Sequence, residues 1–185
     1  MKLTTLGCWG AYPYKDGGTT SYLVTSEDGF QLLMDCGSRA VTELEKEISP
    51  LDLDAVIISH YHPDHVADLG VLRHYFQLYP KHLWEPKILP IYGHTEDEQE
   101  FAKLTLDGVS QGKAYDVNGV EKIGPFDITF IKTVHPVPCY AFRIVEHATG
   151  QTLVFTGDTG YFEGLDKFAA GADLFLADVY LYAGN

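Results

Sequence analysis

Short apolar runs and polar turn clusters alternate along the chain, and their period changes from two to about three and a half and back. Lys2–Leu6, Ser21–Thr25 and Phe30–Asp35 read as strands, with Glu27-Asp28-Gly29 as a hairpin turn between the last two. Val41, Leu44 and Ile48 recur at helical spacing, and Ser49-Pro50 stops that helix. Asp54–Ser59 is a β-branched run suited to a strand buried on both faces. His65, Leu69, Leu72 and Phe76 then fall on one face of a helix predicted to end before Pro80. Lys87–Tyr92 is a strand, and Thr95 with Glu98 forms a capping box for a helix whose Phe101 and Leu104 face inward. Phe126–Val134, Cys139–Val145 and Thr152–Thr156 are strands, Phe162–Ala170 a short helix, and Asp173–Leu181 a last strand. Strands first, then alternating strands and helices, then strands again predict a mixed α/β layered sandwich and not a doubly wound parallel sheet.

Composition narrows the class. The 185 residues suit one domain with a real core, and 45% apolar with 21% charged is globular usage. Thirteen Lys and Arg against 26 Asp and Glu give a net charge of −13, which offers no general attraction to nucleic acid or anionic membrane. A local basic or metal-bearing cleft on an acidic body remains compatible with it. Cys8, Cys36 and Cys139 are odd in number and lack CxxC spacing, so neither a disulfide framework nor a zinc ribbon is indicated. No apolar run approaches the roughly 18 residues of a membrane span. The expectation is a soluble, cytoplasmic protein without a membrane partner.

Ser59-His60-Tyr61-His62-Pro63-Asp64-His65 concentrates the chemistry. His60 and His62 lie two apart in an extended segment, so both imidazoles point the same way. Pro63 suits the first turn of the next helix, from whose N-terminus Asp64 and His65 project. Such a loop offers two imidazoles to one cation and a carboxylate with an imidazole to a second. His135, in Val134-His135-Pro136, and Asp158, in Thr156-Gly157-Asp158-Thr159-Gly160, each follow a strand. Alone they read as a loop histidine and a turn former; beside the cluster they become ligand candidates. Trp9, Tyr12 and Tyr14 either line the cleft mouth or cover core edges, and Cys36 and Cys139 read as buried fillers.

The cluster, the Asp35-Cys36-Gly37 turn, His135 and Thr156-Gly157-Asp158-Thr159 together resemble the ordered motifs of the metallo-β-lactamase superfamily, from Leu3 to about Leu181. Within it the sequence is most similar to RNase Z-like proteins and cyclic phosphodiesterases. The resemblance implies an αββα four-layer sandwich with a dinuclear site, usually zinc and sometimes manganese or iron. Carried over, it places His60, His62 and His135 on the first metal, Asp64 and His65 on the second, and Asp158 between them. It makes Asp35 an orienting hydrogen-bond partner behind the ligand loop, and Asp64 also a catalytic proton acceptor. The implied function is hydrolysis by a metal-activated water, on a small phosphodiester or an RNA end. Hydrolysis of a carboxylic ester, lactone or sulfate, and a metal-binding but catalytically silent domain, are the alternatives.

Several positions depart from the RNase Z pattern. Tyr92-Gly93-His94-Thr95 stands where relatives carry Gly-Pro-Pro-Gly, and it either offers His94 and helix N–H groups to substrate or is a plain capped connection. Ala177-Asp178-Val179-Tyr180 stands where a His-Glu-Ala-Thr-like motif is usual, so only the carboxylate of Asp178 is retained as a substrate-facing candidate. No long Gly- and Pro-rich insertion is present. These features and the acidity favour a small anionic substrate over a whole tRNA. The family's second metal usually takes one more histidine beyond Asp178, so residues 1–185 are expected to form a single domain lacking its usual C-terminal segment, with the second metal short of one ligand. His147, on a hairpin tip, and His74 and His82, expected to be solvated, are poor substitutes. The uncovered last strand makes a homodimer a plausible assembly.

Overall fold

A computed structural model describes residues 1–79 and 87–178. His82 and the predicted end of the last strand, residues 179–181, lie outside them. The chain divides into two compact units, Lys2–Tyr115 and the segment from Asp116 onward with Met1.

The first unit is built on a seven-stranded sheet of order β2-β1-β3-β4-β5-β6-β7. Its strands are β1 (Lys2–Trp9), β2 (Gly18–Thr19), β3 (Ser21–Thr25), β4 (Gln31–Met34), β5 (Ala55–Ile57), β6 (Leu89–Gly93) and β7 (Ser110–Ala114). β1, β3 and β4 pair antiparallel, while β4, β5, β6 and β7 run parallel. This is the mixed sheet that the element order predicts. Parallel pairing requires crossovers, and helices supply part of them: α1 (Ala40–Leu44) between β4 and β5, α2 (Pro63–Val66) and α3 (Leu69–Leu78) between β5 and β6, and α4 (Glu98–Ala102) between β6 and β7. Leu33, Val56, Ile58 and Ile91 from the sheet pack with Leu44, Leu69, Leu72 and Phe76 from these helices. β5 carries no exposed residue, which accounts for its unbroken apolar run.

Two expectations are corrected here. The single helix predicted from His65 to Phe76 is broken into α2 and α3. The peptide of Cys36 intervenes: its N–H donates to the His65 carbonyl at 2.8 Å, and its carbonyl accepts from Asp68 N–H at 3.0 Å. The Asp68 carboxylate in turn accepts from Val41 N–H at 3.2 Å. These bonds replace the helical ladder over one turn, while the apolar face stays in register. The capping box at Thr95 is the second: Asp97 caps α4, its side chain accepting from Glu100 N–H at 3.0 Å. An Asp two residues later competes for the same role and carries the charge that a helix N-terminus favours.

The second unit holds a five-stranded sheet of order β12-β11-β10-β9-β8. The strands are β8 (Glu121–Ile123), β9 (Phe126–Lys132), β10 (Tyr140–Glu146), β11 (Thr152–Phe155) and β12 (Leu174–Leu176), with α5 (Leu165–Ala169) between the last two. β8 to β11 form an antiparallel meander, and β12 adds parallel to β11. β9 alternates buried and half-buried positions, so Phe126, Ile128 and Phe130 share its inner face. Phe142 is fully buried with Phe130 and Phe155 beside it, at ring-centroid distances of 5.6 and 6.0 Å.

Candidate metal centre

The C-terminal ends of β4, β5 and β6 carry the polar residues of the first unit. Asp35 leaves β4 in a left-handed conformation, φ 54°, which Asp tolerates better than most side chains. It is fully buried, and its carboxylate is the hub of the site. Oδ1 accepts from Ser59 N–H at 2.7 Å, and Oδ2 accepts from the Ser59 hydroxyl at 2.8 Å. Oδ2 also lies 2.7 Å from His65 Nδ1. The predicted orienting role of Asp35 therefore has a concrete geometry: one carboxylate spans the strand end and the first helical turn of the histidine cluster.

The proton inventory follows from these contacts. A buried carboxylate accepts and does not donate, so His65 meets Asp35 with a proton on Nδ1. Ser59 has one hydroxyl proton, and it points at Asp35. Its oxygen then faces His60 Nδ1, 3.1 Å away, as an acceptor. His60 consequently also carries a proton on Nδ1. Both imidazoles are thus held from behind at Nδ1, the arrangement in which a histidine would turn Nε2 toward a cation. His60 and His65 are buried with ring centroids 4.1 Å apart, and the His62 ring stands edge-on to His60 at 4.8 Å. His62 is the extended residue before α2 and Pro63 opens that helix, as the sequence predicts. Asp64 Oδ2 lies 3.7 Å from His65 Nε2 and accepts from Ala11 N–H at 2.8 Å. Gly37 is required for this approach, because a Cβ there would overlap the Asp64 carbonyl and the Thr19 hydroxyl.

In the second unit His135 follows β9 and Asp158 follows β11. His135 Nε2 and Asp158 Oδ2 are 3.8 Å apart. Their loops are tied together: the Thr133 hydroxyl donates to the Asp158 carbonyl at 2.9 Å, and Gly160 N–H donates to the Val134 carbonyl at 2.8 Å. Gly157, φ 57°, supplies the left-handed turn that swings Asp158 out of the strand. Asp178 N–H donates to the Thr156 hydroxyl at 2.9 Å, so the carboxylate-bearing residue after β12 lies beside the start of that turn. Each unit thus gathers its own predicted donors at the ends of its strands. Imidazole nitrogens and carboxylate oxygens are a donor set that fits a zinc-like divalent cation.

The other singled-out residues are placed as follows. His94 is buried at the end of β6, its carbonyl accepting from the Tyr61 hydroxyl at 2.7 Å, and the two rings are 4.6 Å apart. Burial first, and then Asp97 and Glu100, push the Tyr61 hydroxyl well above its usual range, so it stays a donor. Cys36 is a core residue; burial, then Asp68 and Asp35, push its thiol up and keep it neutral, which suits a filler and not a nucleophile. His147 lies on the β10–β11 hairpin with Asp127 at 2.9 Å, and His74 is exposed on α3. Sequence reading missed Ser59. Its position one residue before the first histidine, at the end of a buried strand, was the available signal.

Comparison with known proteins agrees with this geometry. Residues 14–183 match the family model of the metallo-β-lactamase superfamily, and the chain belongs to that superfamily of metallo-hydrolases. A probable metallo-hydrolase of Bacillus subtilis, YhfI, is 41% identical over 183 residues, covering 99% of this chain and 74% of its own length. Its crystal structure superposes with a TM-score of 0.91, covering 99% of this chain and 72% of that one, which establishes the metallo-β-lactamase fold. Ribonuclease Z of Methanopyrus kandleri is 29% identical over 140 residues, 75% of this chain but 48% of its own length. The short form of human tRNase Z shares the fold at a TM-score of 0.71 and 22% identity, covering 95% of this chain and 76% of its own. The RNase Z-like branch named from the motifs is therefore supported. No helix among the described residues is long and apolar enough to cross a membrane.

Proposed function

We propose that this chain is a metal-dependent phosphodiesterase acting on a small phosphodiester or an RNA end. In this reading the family resemblance assigns His60, His62, His135 and Asp158 to one cation and Asp64, His65 and Asp158 to a second. The observation that carries it is the Asp35–Ser59–His60/His65 relay, which holds two buried histidines of the cluster from behind through their Nδ1 atoms. Zinc bound there lowers the pKa of water toward neutrality and polarises a phosphoryl oxygen. Asp64, held by Ala11 N–H, would help hold a cation and take up the proton of a water activated there. Asp35 keeps His65 oriented through the reaction. Asp178 and His94 stand at strand ends as candidates to contact the departing group and the phosphate. A net charge of −13 favours a small anion over a long RNA.

Hydrolysis of bis(p-nitrophenyl) phosphate with zinc or manganese is the expected activity, and His62→Ala should abolish it by removing a ligand without touching the core. Turnover of lactones or aryl esters with no phosphodiester cleavage would replace the substrate assignment. Zinc bound without any turnover would make the domain catalytically silent. The position with four protein donors should hold its cation more tightly than the position with three. Metal analysis after dialysis is expected to find about one equivalent, and two tightly held equivalents would contradict the donor assignment.

A further inference from the structure

The loop between β1 and β2 reaches the centre directly: Ala11, φ 60°, donates its N–H to Asp64 Oδ2. On either side of that contact three aromatic rings are exposed, one at the end of β1 and two in the loop. Trp9 is 47% exposed, Tyr12 66% and Tyr14 48%. The loop is held in shape from below. Tyr14 and Gly17 exchange both backbone hydrogen bonds at 3.2 and 3.0 Å, and Tyr12 N–H donates to the Gly10 carbonyl at 2.7 Å. Trp9 and Tyr14 lie 5.1 Å apart at 57°, and any Cβ at Gly17 would strike the Trp9 indole. Cations adjoin the rings: Lys15 Nζ is 5.2 Å from the Tyr14 centroid, and Arg39 Nη1 donates to the Lys15 carbonyl at 3.5 Å.

Exposed aromatic faces on an acidic protein usually carry a cost in solubility. Here they sit on a pinned loop one hydrogen bond from a proposed metal ligand, with the Lys15 ammonium against the Tyr14 ring and Arg39 paired with Glu43 at 3.3 Å. We infer that Trp9, Tyr12 and Tyr14 form a stacking platform for a flat ring attached to the substrate phosphate, an aryl or nucleobase group, with Lys15 attracting its anionic part. This rests on the phosphodiesterase reading and adds the class of substituent. Stacking of one base on an aromatic side chain changes affinity roughly 5- to 140-fold.

Calorimetric titration of the zinc-loaded full chain with phenylphosphonate and with methylphosphonate tests it without turnover. The phenyl compound should bind at least about fivefold more tightly. The Tyr12→Ala, Tyr14→Ala double variant should lose that advantage while keeping its methylphosphonate affinity, and Tyr12→Phe should retain it. Equal affinity of the two compounds in the native chain, a preference that survives the double variant, a parallel fall for both compounds, or no binding of either would overturn the platform. The two proposals fail separately. A ring preference without phosphodiester hydrolysis leaves the platform standing and removes the activity; hydrolysis without a ring preference does the reverse.

Discussion

Replacing Asp35 by Asn keeps the shape of the hub and changes its protons. The carboxylate receives three donors, Ser59 N–H, the Ser59 hydroxyl and His65 Nδ1–H, at 2.7, 2.8 and 2.7 Å. An amide has one acceptor oxygen and an NH2 group. With the oxygen facing Ser59 N–H, the NH2 group faces the Ser59 hydroxyl and His65. His65 can then meet it only as an acceptor at Nδ1, which moves the ring proton to Nε2 and removes the lone pair a cation would use. Loss of such an orienting partner weakens metal binding by about 10- to 100-fold, or roughly 1.4–2.8 kcal/mol. Competition between the protein and a chelating dye for zinc measures the change, and nitrogen chemical shifts of His65 report the tautomer. An Asp35→Asn protein that binds zinc as tightly as the parent, with the proton still on Nδ1, would refute the relay. Asp35→Ala is the harsher change. It leaves three buried donors without their acceptor at about 1–3 kcal/mol each, against a total stability of about 5–15 kcal/mol. That variant is expected to fail to fold, so Asn is the informative substitution.

Two further outcomes follow from the same region. Gly37→Ala drives a methyl group against the Asp64 carbonyl and the Thr19 hydroxyl; urea melts should show a loss of about 1–3 kcal/mol, because the backbone must shift. For Cys36, burial and the nearby Asp68 and Asp35 hold the native thiol protonated while the unfolded chain ionises normally. The native state therefore binds the extra proton above about pH 8.5, and its contribution to stability is present below that pH and falls by up to about 1.4 kcal/mol per unit above it. Cys36→Ala should flatten the decline between pH 8.5 and 10 in denaturant titrations, and an unchanged slope would show that another group causes it.

The sequence was most informative where local chemistry and local geometry coincide. The histidine cluster at a strand-to-helix junction, Pro63 at the first helical position and the two strand-end loops with His135 and Asp158 were all readable, because each depends on residues a few positions apart. β2, β7 and β8 were not. They are two, five and three residues long, and β7, Ser-Gln-Gly-Lys-Ala, has no apolar alternation because it pairs at the sheet edge. The break between α2 and α3 was invisible for a different reason: its cause, Cys36, lies about thirty positions earlier, and periodicity cannot register a peptide inserted from elsewhere. Ser59 escaped notice because a serine acquires its meaning only once Asp35 and His60 are seen on either side of it. The aromatic loop was visible as composition, but its tie to the cluster was not, because the Ala11–Asp64 bond joins residues 53 positions apart.

The Cys36 splice between α2 and α3 also bears on how this protein can vary. Its two backbone hydrogen bonds fix the number of residues from His65 to Asp68, and Asp35 next door fixes the orientation of the His65 ring. Inserting one residue into α2 would rotate everything beyond it by about 100°, turning His65 away from Asp35 and Leu69 away from the core together. Length changes in this stretch should accordingly be absent from natural variants and lethal in insertion libraries, while the hairpin at Glu27-Asp28-Gly29, where a Cβ at Gly29 would meet only open space, should accept them freely.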